Sequence, residues 1–128
     1  MGNLSLHFDR HEFACKGLAC CGGVAPVSPR LVNSLELLRD LAQRTFPAEN
    51  VAFIVSSGFR CLTHNRNVKS HDDSYHVRGM AADVQPRGLT PNQLAALALS
   101  IPDFENGGIG HYATFVHLDV RTTGKARW

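Results

Sequence analysis

Two short segments of this chain carry side chains suited to a metal ion. They are Ser74-Tyr75-His76-Val77-Arg78-Gly79-Met80-Ala81-Ala82-Asp83 and Phe115-Val116-His117-Leu118-Asp119. His76, Asp83 and His117 offer two imidazoles and a carboxylate, a donor set that can hold a catalytic zinc with a fourth position open to water. An aspartate within Met80-Ala81-Ala82-Asp83-Val84 is costly in a strand unless something pairs with it, and a metal ion removes that cost. The plainer reading is that each is a solvated or internally hydrogen-bonded residue. H-x6-D is a loose pattern, and spacing by itself does not choose between the two.

The elements that must position these residues are legible in the flanking sequence. Asp9-Arg10-His11-Glu12-Phe13 reads as one helical turn, with Asp9 as cap and Glu12 at the capping-box position. Ser28-Pro29 opens a helix whose apolar residues Leu31, Leu35, Leu38 and Ala42 recur at helical spacing, and which should stop near Pro47. Val51-Ala52-Phe53-Ile54-Val55 reads as a buried strand. From Cys61 to Tyr75 the apolar pattern vanishes, which predicts a long functional loop. Met80 to Val84 is a second strand ended by Pro86. Thr90-Pro91 starts a helix that buries Leu94, Leu97 and Ala98 and ends at Pro102. Gly107-Gly108-Ile109-Gly110 reads as a glycine-rich hairpin turn leading into a third strand, Phe115 to Val120. The sum is one α+β domain over residues 1–128, with a central antiparallel sheet flanked by helices.

Composition narrows the function further. The chain has 128 residues, 44% hydrophobic and 19% charged, with a formal net charge of +2. No concentrated basic surface is visible, so a nucleic-acid partner is not expected. No apolar run approaches the ~20 residues that cross a bilayer, so membrane insertion is not expected either. The opening residues lack the pattern of a secretory signal, which predicts synthesis in the cytoplasm without self-export. Cys15, Cys20, Cys21 and Cys61 are expected as thiols in that compartment; a disulfide to Cys61 or a structural zinc site are the alternatives.

The segment Ser74, His76, Gly79, Ala81, Asp83 resembles the S-x-H-x-x-G-x-A-x-D signature of the zinc D-Ala-D-Ala carboxypeptidase family. That superfamily also holds vancomycin-resistance dipeptidases, phage L-alanyl-D-glutamate endolysins and the hedgehog signalling domain. Ser56-Ser57-Gly58-Phe59-Arg60 with His64-Asn65 is similar to the family's S-G-[YF]-R followed by Asn. Gly108-Ile109-Gly110-His111-Tyr112 through Phe115 to Arg121, with Arg127-Trp128, resembles the closing strand of its murein-endopeptidase branch. His7-Phe8 through Glu12-Phe13 and Cys15 resemble phage-type members.

The resemblance implies a zinc peptidase acting on peptidoglycan stem peptides or cross-links at or near a D-alanine, with His76, Asp83 and His117 as metal ligands. It matches Arg60 to the arginine that such enzymes place near the scissile carbonyl or the substrate carboxylate, a task suited to a planar, always-charged donor. Several relatives carry an acid three residues before the last histidine ligand, where this chain has Thr114. Asp119 then becomes a candidate general base or a carboxylate that orients His117, and His111 a candidate acid or transition-state stabiliser. His71 lacks the spacing that follows His76 and is read as a loop or substrate contact. The expected state is a monomer that reaches the cell wall through phage- or machine-mediated delivery. Two rivals remain: a non-catalytic zinc-bearing wall-binding or signalling module of the same fold, and a hydrolase built on Cys61 and His64.

Overall fold

In the computed structural model, residues 5–16, 27–67 and 74–128 are described. Cys20, Cys21 and His71, and the side chain of His64, lie outside the described residues. The N-terminal 3-10 turn, Arg10–Phe13, is held as the sequence predicts, with the Asp9 N–H donating to Glu12 Oε2 at 2.6 Å. Helix α1 spans Pro29–Thr45 and buries Leu31, Leu35, Leu38 and Ala42 along one stripe. The Ser28 side chain makes no cap bond; its backbone N–H instead donates to Gly79 O at 2.8 Å, joining the helix start to the turn that carries His76. Helix α3, Pro91–Ala98, has a reciprocal cap: Thr90 Oγ1 accepts from Gln93 N at 3.1 Å and Thr90 N donates to Gln93 Oε1 at 2.8 Å.

The sheet contains β1 (Ala52–Ser57), β2 (Ala81–Arg87), β3 (Gly108–His111), β4 (Val116–Asp119) and β5 (Ala126–Arg127). Their order is β1-β2-β4-β3-β5, antiparallel except for the parallel β3–β5 pair. The sheet is therefore mixed rather than wholly antiparallel. Helices α1, α3 and α4 (Pro102–Glu105) pack together on its inner face. The core there includes Val55, Val84, Leu94, Phe104, Ile109, Val116 and Leu118. Among the described residues, no helix is long and apolar enough to cross a membrane.

Several expectations are corrected. Strand β1 is an edge strand, so Phe53 and Val55 point inward while Ala52 and Ile54 are exposed. The expected loop after Cys61 contains helix α2, Leu62–Asn67, whose polar residues carry no amphipathic pattern. Strand β2 runs through Pro86, which lies opposite Phe53. Strand β4 pairs with β2 only as far as Val84, so the missing proline N–H needs no partner on that side. Helix α3 already ends at Ala98, four residues before Pro102, which instead opens α4. The glycine-rich segment is itself strand β3, and the hairpin turn falls in residues 112–115. Glycine is needed there for room, because a Cβ on Gly108 would collide with the Asp119 carboxylate.

Candidate metal centre

Strand alternation sets the site opposite the core. In the β2–β4 pairing Asp83 faces His117 and Ala81 faces Asp119, while Val84, Val116 and Leu118 point into the core. Residues 75–79 form the turn before β2 and deliver His76 from the side. Gly79 closes this turn at φ 68°, a conformation glycine adopts without strain. Ser74 Oγ accepts the His76 N–H at 3.3 Å, and the Arg60 N–H donates to His76 O at 3.1 Å.

The three predicted ligand side chains meet. His76 Nε2 lies 3.3 Å from Asp83 Oδ1, and His117 Nδ1 lies 3.1 Å from the same oxygen. One ligand atom from each of the three lies within 4.8 Å of the others. A tetrahedral ion with bonds of about 2.0–2.1 Å separates its ligand atoms by about 3.3 Å, so these residues fit zinc. The outer nitrogens are also committed. His76 Nδ1 donates to Gly58 O at 2.7 Å, which leaves Nε2 as the nitrogen that faces Asp83. His117 Nε2 lies 2.8 Å from Asp119 Oδ2, which leaves Nδ1 for the metal side.

Asp119 is wholly buried behind His117. It accepts from Arg121 Nε at 2.8 Å, Arg121 Nη2 at 2.6 Å, Arg121 N at 3.1 Å and Gly108 N at 2.9 Å. Burial pushes its carboxyl pKa up, but the bonds from Arg121 and His117 outweigh this and hold it well below the usual range. Asp83 behaves alike: burial raises it, and hydrogen bonds from His117 and His76 bring it well below the usual range. Burial lowers the His117 pKa, yet the bonds to Asp119 and Asp83 leave it raised overall. Two carboxylates kept ionised against two imidazoles make a centre that favours a cation.

Arg60 is half-buried, and its Nε has no hydrogen-bond partner among the described residues. Burial lowers its pKa, and the charge of Asp83 partly offsets this. His111 is not brought to the centre. It faces Val116 across β3–β4, and alternation puts its side chain with Ile109 on the opposite face from His117. Its Nδ1 instead lies 3.0 Å from Trp128 O. Thr114 is exposed in the hairpin turn.

The sequence assigned no role to three groups that shape this site. Arg121 clamps Asp119 and stacks over Tyr75 at 4.4 Å; its i+2 spacing from Asp119 was a usable signal. The Trp128 ring lies 4.8 Å from that of His117, and its Nε1 donates to Tyr112 Oη at 2.8 Å. Gly58 acts through a backbone carbonyl, which residue type does not announce.

An α+β fold whose outer sheet face gathers two anchored imidazoles and a carboxylate presents a centre that could hold a metal ion. A family model described as Peptidase M15 matches residues 6–119, and the chain belongs to that family of zinc-dependent peptidases. No curated protein matches the chain significantly.

Proposed function

We propose that this protein is a zinc peptidase that hydrolyses peptide bonds in bacterial peptidoglycan, in stem peptides or cross-links at or near a D-alanine. The observation that carries the reading is the trio His76, Asp83 and His117, with each imidazole fixed through its outer nitrogen. His76, Asp83 and His117 would hold the zinc, which when bound supplies a Lewis acid for the peptide carbonyl and acidifies a water molecule.

The chain's own residues do the positioning. Gly58 O fixes the His76 tautomer, and Asp119 fixes His117. In this reading Asp119 is a positioning residue, because Arg121, Gly108 and His117 already occupy its oxygens. Arg60 offers a charged donor fork to a substrate carbonyl or carboxylate beside Asp83. The place of action is the cell wall, reached by phage- or machine-mediated delivery, and the protein works as a monomer.

The exposed Thr114, where several relatives carry an acid, supports one rival: a zinc-bearing wall-binding or signalling module that does not cut. Zinc content and muropeptide digestion, measured on the wild type and on His117→Ala, separate the readings. About one zinc per chain, lost together with digestion in the variant, is the expected result. Zinc without cleavage would favour the binding module, and a wild type that binds no zinc would overturn the proposal.

A further inference from the structure

Two thiols meet beside the segment that orients His76. Cys15 follows the 3-10 turn and Cys61 follows Arg60; they are 46 positions apart, with their Sγ atoms at 3.7 Å. We propose that Cys15 and Cys61 are a redox modification site, joined by an intramolecular disulfide when the protein meets an oxidising environment.

The backbone already holds the two segments together. Phe59 N donates to Phe13 O at 2.8 Å. Gly58 packs so closely that a Cβ there would lie 2.6 Å from Phe13 Cα. A disulfide has an S–S length of about 2.05 Å, so the sulfurs need to close by about 1.7 Å, a movement within reach of small side-chain rotations. Cys15 is buried and Cys61 is partly exposed, so an incoming reagent is expected to reach Cys61 first.

The reaction balances as thiol–disulfide exchange with a small disulfide of the oxidised-glutathione class. The Cys61 sulfur, having lost its proton, attacks one sulfur of the reagent, forms a mixed disulfide and releases one small thiol. The Cys15 sulfur then displaces the second small thiol. In sum two S–H bonds are lost and one S–S bond forms, while the reagent takes up two electrons and two protons. The cross-link ties the N-terminal turn to residues 58–61. Those residues hold His76 through the Gly58 carbonyl and the Arg60 N–H. Redox state is thereby coupled to the rigidity of one ligand's support.

The test does not depend on zinc or on peptidase activity. The full chain is incubated with oxidised or with reduced glutathione, quenched in acid, alkylated and digested with trypsin without reduction. Trypsin separates Cys15 in residues 11–16, Cys20 and Cys21 in residues 17–30, and Cys61 in residues 61–66. After oxidation the expected product is residues 11–16 linked to residues 61–66, two hydrogens lighter than the separate peptides. It should vanish on reduction and persist in the Cys20→Ser/Cys21→Ser double variant. Residues 61–66 linked only to 17–30 would overturn the proposal. So would full alkylation of Cys15 and Cys61 after oxidation, or unlinked thiols shielded by a second bound zinc.

Discussion

Replacing Asp119 by Asn tests whether that carboxylate orients His117 or carries a proton. The substitution keeps the shape but removes the charge that faces Arg121 and His117. Outer carboxylates on metal-bound histidines are typically worth 10–100-fold in metal affinity. That corresponds to about 1.4–2.8 kcal/mol at tenfold per 1.4 kcal/mol. Breaking a buried ion pair costs about 3–5 kcal/mol of stability, and here the figure belongs at or below the low end because Arg121 is partly exposed and Asn still accepts hydrogen bonds. A chain of this length is expected to have a stability of roughly 6–19 kcal/mol, so the variant should still fold. Zinc affinity is read by competition with a chromophoric chelator, and peptide hydrolysis is measured at saturating zinc. The orienting role predicts affinity down 10–100-fold and hydrolysis largely restored by excess zinc. Wild-type zinc affinity in Asp119→Asn would refute it. If hydrolysis then fell by about 10²–10⁴-fold at saturating zinc, Asp119 would be the general base instead.

Three further outcomes follow from the same geometry. His111→Ala should stay within about threefold of wild-type hydrolysis, since a general acid or base is typically worth 10²–10⁴-fold; a loss of that larger size would return His111 to the site. Gly110→Ala places a Cβ 2.5 Å from the Trp128 indole, so Trp128 should move off His117 at a cost of about 1–3 kcal/mol. Trp128 is the single tryptophan, so its emission should shift in this variant, and an unchanged spectrum and melting point would count against the packing. The metal-free protein should be most stable between about pH 4 and 6.5. The depressed pKa values of Asp83 and Asp119 give stability above the unfolded carboxyl pKa that is lost as pH falls through the folded values. The raised His117 pKa gives stability present below the unfolded imidazole value and lost as pH rises through the folded one. Melting in chelator across this range checks the shape, and a midpoint that climbs steadily from pH 6 to 8 would contradict it.

The sequence disclosed what depends on residue type at fixed spacing. Ser28-Pro29 and Thr90-Pro91 marked both long helix starts, and His76, Asp83 and His117 carried a signature specific enough to predict their meeting. Features set by tertiary contact were hidden. Gly108 and Gly110 looked like a turn because their real constraint is room for Asp119 and Trp128, which no local pattern expresses. Helix α2 has almost no apolar face to betray it. His111 was a candidate through its proximity in sequence to β4, which says nothing about which sheet face it takes, and alternation within β3 turns it away.

That alternation also explains why core and site cannot be altered separately. Val84, Val116 and Leu118 must face α1, α3 and α4 for burial, and this alone forces Asp83, His117 and Asp119 onto the other face. A one-residue slip between β2 and β4 would expose the valines and drive charged groups into the core, so hydrophobic burial fixes the register of two ligands. The third ligand is independent of this register. His76 is set by the Gly79 turn and by the carbonyl of Gly58, both outside the β2–β4 pair. Metal binding therefore joins two structural units that the core does not join in the same way. A ligand that binds only the folded state adds RT ln(1 + [L]/Kd) to stability, about 2.7 kcal/mol at a hundredfold excess over Kd. Zinc should accordingly protect residues 58–61 and 75–79 more than the β2–β4 ladder, which apolar packing already holds.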